Sequence, residues 1–297
     1  MGSVQWACRA FCTPRAIGQS GAAYHPRVPP WVRVIHPAPA LAVVALSTAL
    51  AAILAAEAGG PIRWESIALT VLSVAGSQVV TGATNDLADR FRDADARPEK
   101  PIPSGDLSVN GALWVASIGL ALQLAASLQL GPLPLLLGAA ATASALAYNV
   151  WLSRTPASVI PYIVSFGILP LWIAAGVGVA LERVIPAAIL VAPFAAAAHL
   201  ANTVRDWEVD ARSGSRALAQ VLGRERSLII ALATALLVGA GVGSAFLVAG
   251  RATPAVIVLG LVGLLSVVQG WGSARRLWYG MLVAAVAWTA AWALASA

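Results

Sequence analysis

The chain has 297 residues, 59% of them apolar and 11% charged, with a mean hydropathy of +0.79. A soluble domain of this length needs far more charge to cover its surface, so the composition excludes the soluble classes and points to an integral membrane protein. A formal net charge of +6 would raise nucleic acid as a partner for a soluble chain; here the distribution of the basic residues accounts for it, and no nucleic-acid role is expected.

Residues 1–35 carry Arg9, Arg15, Arg27, Pro14, Pro26, Pro29 and Pro30 without a long apolar run. They read as a loosely ordered cytoplasmic tail rather than a cleavable signal peptide. Cys8 and Cys12 lie in it with no second pair and no His cluster nearby, a pattern of free thiols rather than a zinc or disulfide site. The remainder, 36–297, reads as one all-α transmembrane domain. Stretches of about twenty apolar residues fall at 38–56, 65–84, 109–128, 131–151, 158–181, 184–204, 227–249, 252–270 and 277–296. Gly131-Pro132 and Glu182-Arg183 divide neighbouring spans as tight turns, and Pro161 and Pro170 are expected to bend the fifth span.

Orientation follows from the loops. With nine crossings, all but Arg63, Arg183 and Arg251 of the 19 Lys and Arg residues fall on the side of the N-terminus, which the positive-inside rule makes cytoplasmic. All but Glu57, Glu65 and Glu182 of the 13 acidic residues fall there too. Carboxylates contribute little to orientation, so their clustering needs another cause.

That cause lies in two stretches of matched spacing, Asn85-x3-Asp89-x3-Asp93 at the end of the second span and Asn202-x3-Asp206-x3-Asp210 at the end of the sixth. Steps of four stack side chains on one helical face, so each stretch offers a column of one amide and two carboxylates. Such carboxylates repel one another unless cations lie among them. Asp and Asn oxygens suit Mg²⁺, which takes one or two protein carboxylates and completes its shell with water and phosphate oxygens. Two facing columns therefore suggest two Mg²⁺ ions gripping a diphosphate. Basic residues accompany both columns, Arg97 and Lys100 after the first and Arg205, Arg212 and Arg216 around the second; their guanidinium and ammonium groups match phosphate oxygens.

The first column with its sequel Arg97-Pro98-Glu99-Lys100-Pro101-Ile102-Pro103-Ser104-Gly105, and the second with Gly214, Arg216 and Leu218 after it, resemble the two signatures of the UbiA superfamily of intramembrane prenyltransferases. The resemblance extends over nearly the whole chain from about Arg33. It implies nine transmembrane helices around a central cavity, an active site facing the cytoplasm in the cell membrane, and Mg²⁺-dependent transfer of an isoprenoid from its diphosphate to an acceptor. It places Asn85, Asp89, Asp206 and Asp210 at the metal and diphosphate, with Asp86 and Asp93 supporting as metal ligands. Asn202, Arg97, Lys100, Arg154, Arg205 and Arg216 become expected diphosphate-binding residues, and Tyr148 joins Asp89, Asp206 and Asp210 as expected catalytic groups. Many members have Thr-Leu at Ala217-Leu218 and Lys-Arg at Ser153-Arg154, and the second departure bears on one phosphate-binding position.

Other residues leave alternatives open. Tyr148 and Arg154 either line the cavity, the ring facing an allylic cation, or belong to an interfacial aromatic belt with a snorkelling arginine. Tyr162 shares a face with Ser158 and Ser165. His199, one helical step before Asn202, either accepts the proton lost by the acceptor or is a buried histidine satisfied by a neighbouring helix.

The expected donor is a polyprenyl diphosphate, and no obligate protein partner is inferred. The second signature, Asn202 through Gly223, resembles menaquinone-side members and slightly favours an aromatic or quinone-type acceptor. The stretch Thr155-Pro156-x-Ser158-x-x-Pro161-Tyr162 is instead similar to members acting on glyceryl-phosphate lipids. The alternatives are a terpene cyclase on the same scaffold, acting on the diphosphate alone, and a cation-coupled transporter, which the cytoplasmic rather than midplane position of the carboxylates disfavours.

Overall fold

The computed structural model describes residues 28–212 and 214–296. Cys8, Cys12 and the arginines at 9, 15 and 27 lie outside the described residues, as does most of the predicted tail. Every regular element among the described residues is helical: α1 (Pro30–Arg33), α2 (Pro37–Glu57), α3 (Trp64–Ala96), α4 (Val109–Leu130), α5 (Pro132–Val150), α6 (Ile160–Val177), α7 (Ile185–Arg205), α8 (Trp207–Arg212), α9 (Leu218–Leu222), α10 (Arg224–Val248), α11 (Pro254–Val268) and α12 (Ala274–Ser296), with three short 3₁₀ turns between them.

Eight of these helices are long and apolar enough to cross a membrane, and each apolar stretch of the sequence falls on a helix. The eighth stretch forms α11, whose 15 residues extend roughly 22 Å, short of the ~30 Å hydrocarbon layer. In contrast α3 has 33 residues, roughly 50 Å, so its final turns project beyond the layer. Those turns carry the first acidic column.

The helix ends follow local chemistry. Ser108 caps α4 by accepting from Gly111 N at 3.0 Å, and Pro occupies the first turn of α2, α5 and α11, where its missing N–H costs nothing. Gly131, at φ 109°, ends α4 and starts α5 within one residue, a backbone state closed to most side chains. The fifth span differs from its expected shape: Pro161 sits in the first turn of α6, after a 3₁₀ turn over Pro156–Val159, and Pro170 alone lies inside the helix.

Packing fixes the long α3 most firmly against α4. A Cβ on Gly76 would lie 2.6 Å from both Gln123 N and Gly119 O, so the two backbones approach as only small residues permit. A buried polar chain adds to this. Gln123 Nε2 donates to Gly138 O at 2.9 Å, Thr142 donates to Gln123 Oε1 at 3.0 Å, and the Thr142 and Ser77 hydroxyls pair at 2.7 Å. It ties α3, α4 and α5 together where lipid offers no competing partners. The second half has its own core, in which Leu200 and Val204 of α7, Leu232 of α10 and Leu277 and Met281 of α12 pack together. Large apolar side chains such as Leu41, Ile118 and Leu237 remain exposed on the outside, the expected face toward lipid.

Candidate active site

The projecting end of α3 and the α7–α8 junction meet. α7 ends at Arg205 and the chain kinks at Asp206, yet the helical bonds persist across the kink, Asp206 N to Asn202 O at 3.2 Å and Asp210 N to Asp206 O at 3.1 Å. The four-residue spacing of the second column therefore survives the bend.

Guanidinium groups join the columns. Arg92 donates to Asp89 Oδ2 at 2.7 Å and to Asp210 Oδ1 at 3.2 Å, and Arg97 donates to Asp206 Oδ2 at 3.1 Å. Arg154, from the turn after α5, reaches Asp89 Oδ1 at 3.3 Å, and Arg205 leans on its neighbour Asp206 at 3.2 Å. Arg216 enters by its backbone, its N–H bonded to Arg154 O at 3.0 Å; its exposed side chain has no partner among the described residues. Burial pushes the Asp210 carboxyl above the usual carboxylate range; Asp206 and Asp89 push the same way, against Arg92 and Arg97.

The first column is split between two tasks. Asp89 faces the second column through Arg92, whereas Asp86 and Asp93 share the ammonium of Lys100 at 2.8 and 2.7 Å. His36, in the left-handed region at φ 53°, adds a bond from Nε2 to Asp86 Oδ1 at 2.9 Å. Lys100 thus folds back from its loop onto the end of α3, with one N–H remaining for a phosphate.

Asn85 donates its amide to Asn149 Oδ1 at 3.2 Å, while Asn149 is itself held by Thr81 O at 2.8 Å and Thr84 Oγ1 at 3.0 Å. The Asn85 oxygen is left uncommitted among the described residues, as is the side chain of Asn202.

Tyr148, Tyr162 and His199 form one aromatic cluster. Tyr162 stacks on His199 with centroids 4.3 Å apart, and Tyr148 stands edge-on to them at 5.2 and 5.5 Å. His199 Nε2 lies 3.1 Å from Ser158 Oγ, which accepts Leu218 N–H at 3.3 Å. His199 Nδ1 is buried without a partner among the described residues. One ring nitrogen of His199 thus has a neighbour and the other has none among the described residues.

The donor set fits Mg²⁺. Asp89, Asp206, Asp210 and Asn85 carry the hard oxygen atoms that ion prefers, and no cluster of three or more His, Cys, Asp or Glu arranged for a metal occurs among the described residues. A metal that draws most of its shell from diphosphate and water needs no such cage.

Three residues of the site escaped the sequence reading. Arg92 lies inside the first Asn-x3-Asp-x3-Asp stretch and Asn149 directly follows Tyr148, so each carried a signal, a charge and an amide at the ends of apolar spans. His36 carried none, because its partner is 50 residues away.

A family model of the UbiA prenyltransferase family matches residues 45–276. A digeranylgeranylglyceryl phosphate synthase of Natronomonas pharaonis is 30% identical over 177 residues; the match spans 59% of this chain and 63%, under two thirds, of that relative. Among solved structures, an apo UbiA homologue of Aeropyrum pernix K1 superposes with a TM-score of 0.70 at 19% identity, covering 84% of this chain and 96% of that one. A UbiA homologue of Archaeoglobus fulgidus bound to GPP and Mg²⁺ superposes with a TM-score of 0.68 at 19% identity, covering 90% and 100%. A digeranylgeranylglyceryl phosphate synthase structure gives 0.68 at 16% identity over 89% and 97%.

Proposed function

Because the chain belongs to the UbiA prenyltransferase family, we propose that it moves an isoprenoid group from a prenyl diphosphate to a hydrophobic acceptor, releasing diphosphate. The reading places nine crossings in the cytoplasmic membrane, with α11 as the short one, and the acidic cleft at the cytoplasmic face. The observation that carries it is the meeting of the columns, with Arg92 linking Asp89 to Asp210 and Arg97 reaching Asp206.

In this reading Asn85, Asp89, Asp206 and Asp210 hold the metal and diphosphate, and Asn202 lies beside them. Mg²⁺ bound there, as two ions, would draw charge from the departing diphosphate and so ease ionisation of the allylic C–O bond. Arg97, Arg154, Arg205 and Arg216 present guanidinium groups to the phosphate oxygens. Lys100 keeps Asp86 and Asp93 in place, so those two carboxylates support Asp89 from the same helix. The Tyr148 and Tyr162 rings offer π-faces to positive charge at the allylic carbon.

For the acceptor, similarity to a digeranylgeranylglyceryl phosphate synthase joins the Thr155–Tyr162 stretch in favouring a glyceryl-phosphate lipid over the aromatic ring that the second signature slightly favours. The test incubates the purified chain and Mg²⁺ with geranylgeranyl diphosphate, either alone, together with a mono-prenylated glyceryl phosphate, or together with an aromatic hydroxy acid. Product is expected with the glyceryl phosphate; hydrocarbon from the donor alone would make the protein a cyclase. Asp89→Asn and Asp206→Asn are expected to lower Mg²⁺-dependent turnover by about a hundredfold or more, and parental rates in either would overturn the site assignment.

A further inference from the structure

Arg92 comes from the same helical turn as Asp89 and reaches across the cleft to Asp210, 118 residues away in sequence. Its guanidinium thus sits between a carboxylate of each column, where a cation shared by the columns would lie. Its side chain is 19% exposed, and its Nε is buried without a partner among the described residues, so the pose serves the carboxylates at the expense of part of the arginine. Asp86 and Asp93 of the same helix do not need it, because they already share Lys100.

We propose that Arg92 is a resident cation of the cleft: it holds Asp89 and Asp210 together while no metal is bound and moves onto diphosphate oxygens when the metal arrives. The proposal rests on the metal-diphosphate reading of the site. A divalent ion arriving alone meets carboxylates that are already neutralised and a guanidinium with nowhere else to go. Diphosphate supplies that destination, since arginine forks onto phosphate as readily as onto carboxylate. Metal and diphosphate therefore bind cooperatively, each raising the affinity for the other by the same factor, and a bare ion is admitted poorly. Arg92 is a positioning residue for the ion, acting through Asp89 and Asp210.

The test is equilibrium dialysis of Mn²⁺ against the detergent-solubilised full chain, with and without inorganic pyrophosphate, for the parent, Arg92→Met and Arg92→Gln. The parent is expected to retain little Mn²⁺ alone and much more with pyrophosphate. Either variant is expected to bind Mn²⁺ alone about tenfold more tightly, within the range of a typical site-to-site coupling, with a smaller pyrophosphate enhancement. Tighter binding at the parent's stoichiometry, in a variant that keeps the parent's unfolding midpoint, separates a freed site from a damaged fold, and Arg92→Gln keeps a hydrogen-bonding side chain should the methionine variant misfold. Variants that bind Mn²⁺ alone no better than the parent, while the parent still responds to pyrophosphate, would overturn the role of Arg92. If folded parent protein retains no Mn²⁺ even with pyrophosphate, the metal-diphosphate reading falls and the proposal with it.

Discussion

Asp86 and Asp93 are nearly sealed from solvent, 2% and 1% exposed, and draw on one ammonium, that of Lys100. Removing one partner of a buried charge group costs more than the group contributed, because the remaining charge stays buried. Lys100→Met is therefore expected to destabilise the protein by about 3–5 kcal/mol, read as a lower unfolding midpoint in tryptophan fluorescence, and adding Asp93→Asn should recover part of the loss. No recovery in the double variant would mean that Lys100 stabilises through something other than these carboxylates. The four-residue spacing made Asp89, Asp206 and Asp210 legible in the sequence as members of two columns. Which carboxylate pairs with which cation was not legible, because Lys100 reaches Asp86 from 14 residues away and Arg92 reaches Asp210 from 118, and spacing along one helix says nothing of partners brought by another.

At the scale of the element, the position of Asp89 is set far below it, where α3 lies on α4. An added methyl at Gly76 meets backbone atoms of Gln123 and Gly119, and neither backbone can turn aside as a side-chain end would. Gly76→Ala should force the helices apart at a cost of about 1–3 kcal/mol, typical of overpacking. Gly243→Ala, likewise inside a helix but with nothing among the described residues within 4 Å, is the matched control and should not lower the unfolding midpoint. A Gly76→Ala midpoint equal to that of the control would show that the close approach has room to relax. Hydropathy located these helices because burying twenty apolar residues in lipid dominates every other term in the energy. It could not show that α3 runs past the membrane to Ala96, or that α7 kinks at Asp206, since those features lie in polar segments and depend on packing between the columns.

For the whole molecule, the loop charges and the acidic cleft make one joint statement about orientation. If Lys and Arg hold the loops that bear them inside, the α3–α4 loop with Ser104 faces the cytoplasm and the α2–α3 loop with Gly60 faces outward. The chain has 2 cysteines, at 8 and 12, so a background with both changed to Ser allows single reporters. A membrane-impermeant maleimide should label Gly60→Cys in intact cells and Ser104→Cys only after the membrane is opened. The same logic reaches α11. With eight crossings, α11 would lie on one surface and α12 would end on the cytoplasmic side; with nine, it would end outside. A phosphatase domain fused after Ala297 is active only when exported, so activity in intact cells is the expected result. An inactive fusion beside normal loop labelling would remove α11 from the set of crossings. The cleft would still face the cytoplasm in that case, because α3 and α7 reach it before the chain arrives at α11.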